Sequence, residues 1–144
     1  CAPWNDPRAP RILKGEEAVR RFTEGRVNKF VCIERDREQL QALGRRLETL
    51  PGLEITSSWA DNYELMPQGV SKGRAVKELA EKMGIGPDQV MTVGDFDNDL
   101  SMIEYAGYGT AMGNATPKVK AAAKYVTLTN DEDGVAAAIR KYVL

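Results

Sequence analysis

From Gly69 onward the chain alternates short β-branched runs with stretches of helical period, an order that restricts this part to parallel βαβ units. Ser71 is placed to cap a helix running to Met83, with Val76, Leu79, Ala80 and Met83 as its apolar face, and Gly84 ends it. Pro87-Asp88 introduces a strand at Val90 to Val93, which is followed by an acidic turn and a helix from about Asn98 to Tyr105. A strand near Gly109 to Met112 comes next. Thr116-Pro117, an N-cap with a first-position proline, then opens a helix through Lys124. Tyr125 to Leu128 reads as the last strand, and Asp131 to Val143 as a final helix with Val135, Ala138, Ile139 and Tyr142 facing inward.

The earlier part has a different texture. Pro3, Pro7 and Pro10 predict an extended lead-in, and Gly15 to Glu24 a helix with Ala18, Val19 and Phe22 on one face, closed by Gly25. Val27 to Glu34 reads as a strand. Asp36 is a fitting cap for a helix through about Leu50, in which Leu40, Leu43, Leu47 and Leu50 recur at helical spacing until Pro51-Gly52 stops it. Leu53 to Ser58 and Asn62 to Met66 are two shorter strand candidates. The best boundary between the two textures lies at about Pro67 to Gly69.

The stretch Val90 to Met102, VMTVGDFDNDLSM, concentrates the candidate chemistry. Three carboxylates (Asp95, Asp97 and Asp99) brought within about 5 Å would repel by roughly 3 kcal/mol per pair at an effective dielectric of about 20, which calls for a cation or solvent to offset them. Ligands of open α/β sheets sit beyond the carboxyl ends of parallel strands. Oxygen donors at such a place suit magnesium and a phosphate substrate. The plain alternative is a solvated turn in which one aspartate caps the next helix. A calcium loop is excluded, because its sixth position would be Leu100 and its twelfth Ala106.

Gly69-Val70-Ser71-Lys72-Gly73 is the second feature. A lysine at a helix N-terminus opposes the macrodipole, so Lys72 is either a solvated surface residue or a phosphate-neutralising cation supported by the backbone N–H groups of that helix start. The Walker spacing is absent. Gly107, Gly109 and Gly113 are one residue too widely spaced for the dinucleotide fingerprint. Lys118, Lys120 and Lys124 read as a solvated helix face.

Composition removes whole classes of function. The 144 residues contain no histidine, which excludes imidazole bases, Ser-His-Asp triads and His-ligated zinc. Lys and Arg number 20 against 21 Asp and Glu, a net charge of -1 that offers no field for nucleic acid. Cys1 and Cys32 form no paired motif, so a reducing cytoplasm is the expected location, and no apolar run approaches the roughly 18 residues of a membrane span.

Five motifs in order carry a family resemblance: GVSKG (Gly69 to Gly73), VGDFDNDLSMI (Val93 to Ile103), AGYGTAMGNA (Ala106 to Ala115), VKAAAKYVT (Val119 to Thr127) and NDEDGVAAAI (Asn130 to Ile139). In these the chain resembles the haloacid dehalogenase (HAD) superfamily and, within it, the Cof-like sugar-phosphatase branch with a large inserted cap. The resemblance implies an α/β fold: a partial cap over residues 1–67, then the C-terminal half of a Rossmann-like parallel core over residues 68–144. It implies Lys72 as the lysine that neutralises phosphate and nucleophile, Asp95 as the magnesium-binding acid, Asp99 near the metal, and Asn98 near phosphate or metal water. Asp97 stands where the family varies and takes no role.

The family's reaction needs a DxDGT segment, in which one aspartate attacks phosphorus and the second acts as acid and base. Asp95-Phe96-Asp97 does not continue in that way, and neither Asp97-Asn98-Asp99 nor Asp131-Glu132-Asp133 is followed by Gly-Thr. With no methionine at its start, the chain is expected to be the C-terminal portion of a magnesium-dependent phosphomonoesterase that acts on a small phosphorylated metabolite through an aspartyl-phosphate. It is expected to be nearly inactive alone and to bind magnesium weakly. The competing expectation is a non-catalytic binding module that completes its sheet with another chain and self-associates through an unpaired edge.

Overall fold

The computed structural model describes residues 28–144. The extended lead-in, the helix expected at Gly15 to Glu24 with its closing Gly25, and the expected strand's first residue, Val27, lie outside the described residues.

Two three-stranded sheets organise the described residues. The first is antiparallel, with β1 (Phe30–Ile33) and β2 (Leu53–Thr56) on either side of β3 (Asn62–Pro67). Helix α1 (Arg37–Leu47) connects β1 to β2 and starts where Asp36 accepts hydrogen bonds from the Glu38 and Gln39 amides at 2.9 and 3.1 Å. Leu40 and Leu47 are buried, whereas Leu50, expected to continue their stripe, falls past the helix end and is exposed.

After β3 the chain enters α2 (Lys72–Met83), capped by Ser71 and terminated by Gly84 in the left-handed conformation at φ 67°, which glycine adopts without steric cost. The second sheet follows, all parallel, in the order β4 (Met91–Gly94), β5 (Tyr108–Ala111), β6 (Tyr125–Val126). Helix α3 (Leu100–Tyr105) links β4 to β5, and α4 (Pro117–Ala122) links β5 to β6. Helix α5 (Gly134–Tyr142) closes the chain. This is the α/β class expected from the alternation of elements.

The parallel half has two apolar clusters. Ile103, Ala111, Met112, Ala115 and Val119 are packed together against Val93 and Leu100. Ala80, Val90 and Ala106 meet under Val76 and Ile85. Helix α2 approaches α3 closely because Gly73 lies directly on the Ser101 backbone: a Cβ there would overlap the Ser101 carbonyl oxygen and stand 2.8 Å from Ser101 Cβ. That approach turns Gly73, Val76 and Ala80 inward and leaves Leu79 and Met83 59% and 63% exposed, although helical spacing placed them on the same apolar face. In α5, likewise, Ala138 is buried while Val135 and Ile139 are 48% and 40% exposed.

Asn62, 1% exposed, organises the turn between β2 and β3. Its Oδ1 accepts from the Ser58 and Trp59 amides at 3.1 and 3.2 Å and from the Ser57 hydroxyl at 3.2 Å, and its Nδ2 donates to Ser58 Oγ at 3.0 Å. Leaving these part-buried amides without an acceptor costs about 1–3 kcal/mol in all. Asn62→Ala is therefore expected to lose about 3 kcal/mol in urea denaturation, and a loss below about 1 kcal/mol would show that the turn holds itself.

Candidate functional site

A cleft of about 660 Å³ is lined by β2 and β3 of the antiparallel sheet and by the start of α2, the acidic turn and α3. The carboxyl end of β4 delivers the acidic turn to this cleft. Gly94 is required there, since a Cβ would overlap Asp99 Cβ and stand 2.7 Å from its carboxyl carbon.

Residues Asp97–Asp99 form a 3-10 turn, so α3 begins at Leu100 instead of Asn98. The cause is Asp99, whose carboxylate folds back along the chain: Oδ2 accepts from the amides of Asp95 and Phe96 at 2.9 and 3.4 Å, while Oδ1 takes the ammonium of Lys72. The side chain of Asp99 is 7% exposed and that of Lys72 50%. Lys72 is thus a cation anchored at the first turn of α2 with its outer half open to the cleft.

The three carboxylates do not converge. Asp95 Oδ2 accepts from Asn114 Nδ2 at 3.3 Å, and the Asp95 carbonyl accepts from the Thr116 amide at 3.0 Å. Asp97 points elsewhere, accepting from Thr116 Oγ1 at 3.3 Å and pairing with Lys118 at 3.4 Å. Each charge has its own partner, and among the described residues no three Asp, Glu, Cys or His side chains are gathered as a metal site. What the turn does offer is oxygen: Asp95 stands at the strand end with one long side-chain contact, a donor chemistry suited to a hard cation such as magnesium.

Asn98 lines the cleft, and its backbone amide donates to the Ser57 carbonyl at 3.1 Å, joining the acidic turn to the antiparallel sheet. Of the sequence-predicted site residues, Lys72 and Asp99 are in direct contact, Asp95 is linked to Asp99 through its own amide, and Asn98 stands beside them on the cleft wall. Lys118 is on a solvated face as expected, its side chain 67% exposed, and from there it also pairs with Asp97 and lines the cleft.

Sequence reasoning missed Glu64. It lies on central strand β3, 7% exposed, opposite Val31 of β1 and Thr56 of β2, and it lines the cleft. Burial alone would push its carboxyl up. The Ser58 hydroxyl at 2.8 Å, the Lys29 ammonium at 3.1 Å and the more distant charge of Lys72 together hold it below the usual glutamate range. The only hint in the sequence is the pair Asn62 and Glu64, two polar residues at strand period, which reads as an ordinary solvent face.

Comparison with known proteins identifies the family. The profile of the haloacid dehalogenase-like hydrolases matches residues 14–139. The 5-amino-6-(5-phospho-D-ribitylamino)uracil phosphatase YcsE of Bacillus subtilis is 50% identical over 92 residues, covering 64% of this chain and 37% of that protein. A solved haloacid dehalogenase-like hydrolase from B. subtilis superposes with a TM-score of 0.75 at 42% identity, covering 81% of this chain and 41% of the other. The HAD subclass IIB sugar phosphatase BT4131 superposes at 0.71 with 32% identity, covering 81% and 43%. The chain therefore spans about two fifths of the length of these relatives.

Proposed function

Because this chain belongs to the haloacid dehalogenase-like hydrolases, in their Cof-like branch, we propose that it contributes the lysine and the acidic turn of a magnesium-dependent phosphomonoesterase acting on a small phosphorylated metabolite. The observation that carries this reading is the half-open Lys72 ammonium, held by the buried Asp99 at the mouth of a cleft at the carboxyl end of β4. In this reading Lys72 binds the phosphoryl group, Asn98 orients it, and Asp95 and Asp99 are the carboxylates that hold magnesium, Asp95 as the direct ligand. The metal would supply charge neutralisation for a phosphoryl group under attack. Residues 1–67 act as part of a cap and residues 68–144 as the C-terminal part of the core.

The protein's own groups account for binding and orientation. Lys72 is a point charge with three donors, one of them committed to Asp99, so the others are directed toward an anion in the cleft. The backbone N–H groups at the start of α2 add to the field at the same place. Turnover requires an aspartate nucleophile in a DxDGT segment, a sequence absent from these 144 residues, and the reaction is proposed to run through the aspartyl-phosphate formed on it. Relatives are named as phosphatases of phosphoribitylaminouracil, of pyridoxal phosphate and of sugars, which supports a small phosphorylated metabolite here.

The test is phosphate binding with magnesium present, followed by calorimetry or phosphorus NMR. The 144-residue chain is expected to bind inorganic phosphate, with Lys72→Ala weakening it at least tenfold, about 1.4 kcal/mol. Asp95→Asn should abolish the magnesium dependence, magnesium itself binding in the millimolar range or weaker. No turnover of an aryl phosphate is expected from this chain. Equal phosphate affinity in Lys72→Ala, or robust turnover by the purified chain, would overturn the assignment.

A further inference from the structure

The cleft has a second polar pole across from Lys72. Glu64 faces it from the middle of the antiparallel sheet, a position where an ionised carboxylate is costly unless it is paired and hydrogen-bonded. Each of its oxygens has one such partner: Ser58 Oγ donates to Oε1 at 2.8 Å and Lys29 to Oε2 at 3.1 Å. Two donors occupy a group with about four acceptor positions, and the carboxylate forms part of the cleft surface. Ser58 is itself held by Asn62, so the acceptor is positioned before any ligand arrives.

The charge around it has a definite sign. Each lysine on the cleft wall is already matched to an acid: Lys29 to Glu64, Lys72 to Asp99 and Lys118 to Asp97. Glu48, Glu54 and Glu104 line the same walls in addition, so among the described residues carboxylates are in excess. An anion is accommodated at Lys72, where the ammonium is half open. A second anion on a ligand seated at Lys72 would meet Glu64 and its acidic neighbours and be repelled by them.

We propose that Glu64 is the residue that selects the leaving group: it accepts hydrogen bonds from the hydroxyls of a neutral polyol or sugar esterified to the phosphate at Lys72, and it turns away leaving groups that carry a second anion. This rests on the reading of Lys72 as the phosphate site. Hydroxyl donors match the open acceptor positions of the carboxylate, and a site built to hydrogen-bond a substrate hydroxyl discriminates strongly against ligands that lack it.

Three probes decide it, titrated into the full 144-residue chain with magnesium: sorbitol 6-phosphate, 3-phosphoglycerate and inorganic phosphate. Sorbitol 6-phosphate is expected to bind at least fivefold more tightly than inorganic phosphate, and 3-phosphoglycerate no more tightly than inorganic phosphate. In Glu64→Gln, affinity for 3-phosphoglycerate should rise at least fivefold while that for inorganic phosphate stays within twofold. An unchanged ranking in a folded Glu64→Gln overturns the role of Glu64 alone. Should that variant not fold, the unmodified chain still decides, because 3-phosphoglycerate binding as tightly as sorbitol 6-phosphate overturns the proposal by itself. Loss of all three ligands in Lys72→Ala supports the phosphate site, and absence of binding by every probe to the unmodified chain overturns both readings.

Discussion

Asp99→Ala is expected to destabilise the chain by about 3 kcal/mol, a fall of about 10 °C in melting temperature for a domain of this size. The Asp99 carboxylate is the acceptor for the Asp95 and Phe96 amides and the counter-ion of Lys72. Lys72, half exposed, can turn to water when its partner is removed, so the ion pair supplies the smaller share. The larger share is the pair of amides at the mouth of β4, whose acceptor sits at 7% exposure. Asp99→Asn keeps an oxygen for those amides and should lose only about 1 kcal/mol, in line with an ordinary hydrogen bond weakened and not deleted. Urea denaturation of the two variants side by side separates the contributions. An alanine variant as stable as the asparagine variant would mean that the lysine, and not the turn, is what Asp99 supports.

A comparable loss is expected from a single added methyl group. A Cβ on Gly109 would overlap the Ile103 carbonyl oxygen and stand 2.9 Å from the Ile103 carbonyl carbon, both backbone atoms. Gly109 is on β5, paired on both sides by β4 and β6, and Ile103 is 1% exposed at the centre of the larger apolar cluster, so neither partner can yield without disturbing the whole parallel half. Gly109→Ala should therefore cost about 3 kcal/mol or more and sharply reduce soluble yield. Gly52→Ala is the control. Its φ is 77°, but a Cβ there meets nothing within 4 Å, so only the left-handed conformation is penalised, by about 1–2 kcal/mol. Circular-dichroism melts rank the two, and the reverse order would contradict the packing described for α3 against β5.

What could be read from the sequence was what depends on neighbours along the chain. The caps at Asp36, Ser71 and Thr116 act within three residues, the alternation of strand and helix within about fifteen, and both were legible. The helix faces were only half legible: periodicity places Leu79 beside Ala80, but which of them is inside is decided by how closely Gly73 lets α2 approach α3. Likewise, the crowding estimate for Asp95, Asp97 and Asp99 assumed that the three point at one spot. Asp99 folds back onto the nearby Asp95 and Phe96 amides, but the side-chain partners of the three, Asn114, Lys118 and Lys72, lie 19, 21 and 27 residues away in sequence, and no local spacing encodes those. Lys72 stood out because a lysine at a helix start runs against the macrodipole, although that alone left a solvated surface residue as the other reading. Glu64 did not, because a buried acid on a strand and a solvated one have the same period.

The bond from the Asn98 amide to the Ser57 carbonyl joins two main-chain groups, so no side-chain replacement at either position can delete it, apart from proline at residue 98. Substitutions on the antiparallel sheet, those around Glu64 and Lys29 included, therefore leave this link to the acidic turn in place.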